Sequence, residues 1–102
     1  MQAEKYDEAI KAYQQAIRIN PDFAEAWFGL GKPYASLKRY DDAIAANRQA
    51  LRIDPVYASA WYNLAIYYYL SGDTPAALQA AKALRPLDPA KAEKLFNLIM
   101  PN

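Results

Sequence analysis

The sequence predicts an all-α fold of stacked antiparallel helix pairs, and three observations carry that expectation. Pro21, Pro55 and Pro89 lie 34 residues apart, each directly after Asn20, Asp54 or Asp88. Trp27 and Trp61, Leu30 and Leu64, and Tyr34 and Tyr68 recur at the same interval, as do Ala9, Ala43 and Ala77. Within each copy the apolar residues follow helical spacing. A fixed period of this length marks supersecondary units that bury their cores against one another.

The spacing places helices near 4–18, 24–37, 41–53, 58–71, 75–85 and 90–99. Tyr6, Ile10, Tyr13 and Ile17 form the apolar face of the first. Trp27, Leu30, Gly31 and Tyr34 form that of the second, at i, i+3, i+4 and i+7. Ala43, Ile44, Asn47, Ala50 and Leu51 repeat the pattern in the third, with Asp41 and Asp42 placed favourably at its positive N-terminus. Pro33 falls inside the second helix, removes a hydrogen bond and predicts a bend or an early break there. Trp61, Leu64 and Tyr68 mark the core face of the fourth helix. In Ser71-Gly72-Asp73-Thr74-Pro75, Gly72 ends that helix in the left-handed conformation, Thr74 caps the fifth and Pro75 fits its first turn. Pro86 should shorten the fifth helix. No room is left for strands.

Composition narrows the function. Lys plus Arg number 12 against 11 Asp plus Glu, a net charge of +1, which argues against a nucleic-acid partner. With no His and no Cys, the commonest proton shuttle, metal ligand and thiol nucleophile are missing, so neither an enzyme nor a cofactor or metal site is expected. The carboxylates fall at helix starts (Asp7, Glu8, Asp41, Asp42) or turns (Asp22, Asp54, Asp88), in capping and solvated roles. No apolar run approaches a membrane span and MQAEKYDEAIK lacks a signal peptide's apolar centre, so the default is a cytoplasmic protein with no membrane partner.

The run Trp27-Phe28-Gly29-Leu30-Gly31-Lys32-Pro33-Tyr34, with Ala43, Ala50 and Pro55 after it, resembles the tetratricopeptide repeat signature, and Trp61 to Pro89 resembles it again. The resemblance covers essentially the whole chain. It implies one domain over 1–102: the second helix of a repeat in 1–21, complete repeats in 24–57 and 58–91, and a first-type or capping helix in 92–102. It further implies a right-handed superhelix whose concave groove binds a protein or peptide. Small residues at Gly31, Ala65, Ala43 and Ala77 would let paired helices approach closely, and Trp27 and Trp61 would fill the space between units. Asn47 departs from the pattern: it stands where the first copy has Tyr13 and where the family usually packs an aromatic.

The stripe assigned to the groove is Glu25, Phe28, Lys32 and Ser36 on the second helix and Ser59, Tyr62, Asn63, Ile66, Tyr69 and Leu70 on the fourth. Apolar surface of that extent usually marks an interaction site, and aromatics are preferred anchors. The alternative is that these aromatics pack on Phe23, Val56 and Tyr57 or on the C-terminal helix. Of three consecutive tyrosines, Tyr68 reads as core and Tyr69 as groove. Some members of the family hold a chaperone's C-terminal carboxylate with Lys, Asn and Arg side chains. Only Asn63 matches that set, Gly29 stands where its counterpart would be, and such a ligand is disfavoured.

In the 34-residue frame the chain begins with a second helix and ends with a first one. Each end should then expose an apolar face, Tyr6, Ile10, Tyr13 and Ile17 at one and Leu95, Phe96, Leu98 and Ile99 at the other. Their complementarity suggests a head-to-tail homo-oligomer, a heterologous contact that need not close.

Overall fold

The computed structural model describes residues 2–101; Met1 and Asn102, the outermost residues of the first and last segments above, lie outside the described residues. Six helices follow one another: α1 (Gln2–Ile19), α2 (Ala24–Ser36), α3 (Tyr40–Ile53), α4 (Ala58–Leu70), α5 (Thr74–Leu84) and α6 (Pro89–Ile99). No strand occurs among the described residues. Each helix packs on its neighbours in sequence, and α4 also meets α6. The resulting stack measures 41 × 29 × 19 Å.

The turns explain why the pairs form. Two turns end in a Schellman motif, which satisfies carbonyls that a helix end leaves free. After α2, Arg39 N–H donates to the Tyr34 carbonyl at 2.8 Å and Lys38 N–H to Ala35 at 2.9 Å; after α4, Asp73 N–H and Gly72 N–H donate to Tyr68 and Tyr69 at 2.9 and 3.1 Å. The left-handed residue is Gly72 in one and Lys38, at φ 61°, in the other. Between α1 and α2 and between α3 and α4, the Trp27 and Trp61 indole N–H groups donate to the Pro21 and Pro55 carbonyls at 2.9 and 2.8 Å. Each tryptophan thus ties its helix to the loop that precedes it.

Close approach is enforced by small residues. Ala43, Ala50, Ala60, Ala65, Ala77 and Ala81 have no exposed surface, and with Leu84 and Leu95 they form one core cluster. Burying a leucine side chain contributes about 2 kcal/mol. A second cluster joins Ile10, Leu30 and Ala46, flanked by Tyr13, Ile17 and Trp27. At Gly29 an added Cβ would lie 2.5 Å from the Tyr13 ring, so this glycine is where α1 reaches across α2.

Four expectations need correction. α2 runs through Pro33 to Ser36 without an early break. A proline one turn from a helix end deletes one hydrogen bond and leaves little helix beyond to misalign. The cap of α5 is Asp73, not Thr74: its carboxylate accepts from Ala76 N–H at 3.1 Å, and Thr74 is already helical. Tyr67 rather than Tyr68 is the deeply buried tyrosine, because its ring lies against Gly31 of α2 while Tyr68 is half-buried. Neither end exposes its whole apolar face: at the N-terminal end Ile10 is buried and Tyr6, Tyr13 and Ile17 are half-buried, and at the C-terminal end Leu95 and Ile99 are buried and Phe96 is half-buried, so only Leu98 of the two sets is exposed. α5 ends at Leu84, just before Pro86, as that proline requires.

Candidate functional site

The stripe that the sequence assigns to a groove lies on α2 and α4. α4 (ASAWYNLAIYYYL) has no charged residue along its 13 positions, which is unusual for a helix with one solvent-facing side. Trp61, Leu64 and Tyr68 point one way; Tyr62, Ile66 and Tyr69 lie on the opposite side by helical spacing. Ser59, Tyr62, Asn63 and Ile66 are half-buried, Tyr69 is 36% exposed and Leu70 51% exposed. On α2, Phe28 is half-buried while Glu25, Lys32 and Ser36 are exposed.

Contacts give the stripe its electrostatics. The Phe28 ring meets Tyr57 with centroids 5.0 Å apart, at the start of α4. The Lys32 ammonium lies 5.0 Å over Phe28, and Lys91, brought in by α6, lies 5.6 Å over Tyr62. Cations over ring faces leave the aromatic surface positively fringed. Burial, with Glu25 and Asp54 nearby, raises the Tyr57 hydroxyl above its usual 10.0. Part of the alternative reading therefore holds: Phe28 packs on a turn residue and Tyr62 is touched by the last helix, whereas Tyr69 and Leu70 stay open. Tyr57 was named from sequence as a packing partner in that alternative, whereas Lys91 was not singled out. Tyr57 stands 34 residues after Phe23, which marked it as a turn aromatic; nothing in the pattern aimed Lys91 at Tyr62.

Behind the stripe lies a buried polar patch. Asn47 has no exposed surface, its amide nitrogen approaches the Ala43 carbonyl at 3.5 Å, and its side-chain oxygen has no partner. Burial raises the Tyr67 hydroxyl above its usual 10.0, and the neighbouring amides of Asn47 and Asn63 oppose that shift. Among the described residues no group of three or more potential ligands could hold a metal ion, and no helix is long and apolar enough to cross a membrane.

Two tetratricopeptide repeat family models match the sequence, over residues 1–58 and 34–99. No curated protein matches it. Among solved structures the chain is similar to MamA, at 25% identity and a TM-score of 0.86, with 92% of this chain and 56% of MamA covered. It therefore spans little more than half of MamA's length. It is also similar to the TPR2B domain of yeast Sti1 in complex with pHsp70, at 22% identity and a TM-score of 0.88, covering 94% and 83% of the two chains. A third likeness is to the Yersinia enterocolitica type III secretion chaperone SycD in complex with a peptide of the translocator YopD (18% identity, TM-score 0.86, coverage 96% and 82%). These likenesses show an all-α helical-repeat solenoid.

Proposed function

This chain belongs to the tetratricopeptide repeat family, and we propose that it is a protein-protein interaction module that binds an apolar peptide or partner helix along α2 and α4 rather than an enzyme. The observation that carries the reading is α4: a helix without charge whose outward side presents Tyr62, Ile66, Tyr69 and Leu70. Two similar structures are complexes with a protein or peptide, which supports the class of ligand. Lys32 and Lys91 favour an acidic residue beside the apolar anchors, while the absence of an Asn at position 29 and of arginines on the stripe disfavours a dedicated carboxylate clamp. The test is a displayed-peptide selection followed by amide-shift mapping. Selected peptides should perturb α2 and α4 at Lys32, Tyr62 and Tyr69; perturbations confined to other surfaces would reject the assignment.

A second reading, head-to-tail self-association, is favoured by one specific observation. Leu98 is 44% exposed, whereas its equivalents Leu30 and Leu64 are 4% and 3% exposed. At the other end Ala12 is exposed where Ala46 and Ala80 are buried. Light scattering across concentrations checks it: the mass should rise, and Leu98→Glu should hold the chain monomeric. Leu95, being buried, is not a usable site for that substitution.

A further inference from the structure

The stack carries the same cleft twice, and the two copies differ in a way that points to a ligand. One is a hollow of about 360 Å³ between α1, α2 and α3, floored by Trp27, Leu30 and Tyr34; the other, of about 590 Å³, lies between α3, α4 and α5 and is floored by Trp61, Leu64 and Tyr68. Every floor residue of one is the 34-residue translation of the other. Around the first cleft the polar side chains pair with one another. Gln14 reaches the Tyr34 hydroxyl at 3.5 Å, Arg39 lies 4.7 Å over the Tyr34 ring, and Asp42 pairs with Arg39 at 2.8 Å.

None of those pairings is repeated in the second cleft. Gln14 becomes Arg48, Asp42 becomes Ala76, and the position of Arg39 is taken by Asp73, whose carboxylate is turned to capping α5. What remains is a wider apolar floor with Arg48 and Arg52 on its rim. Among the described residues neither arginine forms an ion pair; Arg52 only donates to Gln49, at 2.7 Å. A neighbouring hollow on α3, lined by Ala45, Arg48, Gln49 and Arg52, adds no carboxylate either. Two guanidinium groups one helical turn apart repel unless an anion sits between them. An apolar cleft of this size with convergent charged groups suits a ligand with both characters, and guanidinium forks match carboxylates.

We propose that the cleft between α3, α4 and α5 is a second binding surface, on the side of α4 away from Tyr62 and Tyr69, and that its occupant is an acidic peptide. A leucine- or phenylalanine-sized side chain would sit on Trp61 and Tyr68, and a neighbouring carboxylate would bridge Arg48 and Arg52. The proposal does not depend on the groove reading, because it uses the opposite side of α4.

The two tryptophans provide an internal control, one indole N–H in each cleft. The probe is the blocked peptide acetyl-Glu-Leu-Phe-Asp-Glu-amide, compared with its Gln and Asn isostere, titrated into the full chain by proton–nitrogen NMR. The acidic peptide should shift the Trp61 indole signal and leave Trp27 unmoved, while the isostere binds about tenfold more weakly. Arg48→Gln with Arg52→Gln should weaken binding about tenfold and salt should do the same, because both charges are exposed. Ala76→Asp, which copies the first cleft, should weaken it too; Tyr62→Ala with Tyr69→Ala should leave it unchanged. Equal shifts at both tryptophans, no shift at low-millimolar peptide, or binding indifferent to the arginine pair would overturn the proposal.

Discussion

The helix pair α2–α3 and the pair α4–α5 execute one 34-residue pattern with different parts. Where helices touch, the parts agree: Trp27 and Trp61 reach back to a proline carbonyl, Leu30 and Leu64 are equally buried, and Ala43 and Ala77 have no exposed surface. Elsewhere the difference is compensated. Tyr13 lies against Gly29, a large residue opposite the smallest one, and the equivalent pair one repeat later is Asn47 with Asn63. Pro33 is followed one period on by Tyr67, whose ring takes up space beside Gly31. Volume is conserved across the seam rather than residue by residue, as close packing demands. On the open surfaces nothing compensates, and there the two pairs part company: a self-paired cleft beside a wider, arginine-rimmed one.

The largest break in the comparison is at Asn47. Restoring the aromatic of the first copy looks stabilising from sequence, yet Asn47 already lies 2.9 Å from where a Gly31 Cβ would be, and Tyr67 fills the adjoining space. Asn47→Tyr alone should lower stability by about 2 kcal/mol through overpacking. Adding Asn63→Gly, which copies Gly29, should recover part of that loss. Chemical denaturation of the two single variants and the double reads the coupling directly; strict additivity would mean that the two positions do not share a seam.

A smaller contrast separates the two starts of the second-type helices. Asp73 caps α5 with its side chain, whereas Arg39 at the start of α3 makes no such bond. Asp73→Ala should therefore lower stability by about 1 kcal/mol, and Arg39→Ala by clearly less. Equal losses in thermal melts would show that the cap contributes nothing beyond the turn.

The smallest effect concerns the left-handed turn residue. Lys38 holds φ 61° at the position that Gly72 fills in the next pair. Lys38→Gly should raise stability by up to about 1 kcal/mol, since glycine carries no steric penalty there. An unchanged or lower melting temperature would mean that the longer unfolded-state freedom of glycine cancels the relief.

How far the sequence reaches follows from the same contrast. The period and the spacing of Trp27, Leu30, Gly31 and Tyr34 placed all six helices within two residues, because contact positions repeat by necessity. Misreadings came where one residue can do a neighbour's work. Asp73 and Thr74 are both good caps, and the turn geometry chose the first. Tyr67 and Tyr68 are both aromatic, but the Tyr67 ring lies against Gly31 of α2 while Tyr68 faces the cleft between α3, α4 and α5. Leu95 and Ile99 read as an exposed edge until α6 was seen to pack on α4 and α5. The proposed binding surface was legible only as a stripe of the wrong polarity. Spacing offered Tyr57 and the C-terminal helix only as alternative partners for the stripe's aromatics; that Tyr57 lies against Phe28 and Lys91 stands over Tyr62 depends on how neighbouring helices tilt.

The central claim is that the outward side of α4 binds a partner and does not hold the fold together. It is tested most directly by measuring, on one selected peptide, the affinity and melting temperature of the Tyr62→Ala, Tyr69→Ala double variant beside the parent chain. The account predicts an affinity loss of at least about tenfold with helicity and melting temperature nearly unchanged. Unchanged affinity, or a double variant that unfolds, would show instead that these tyrosines belong to the packing of the stack.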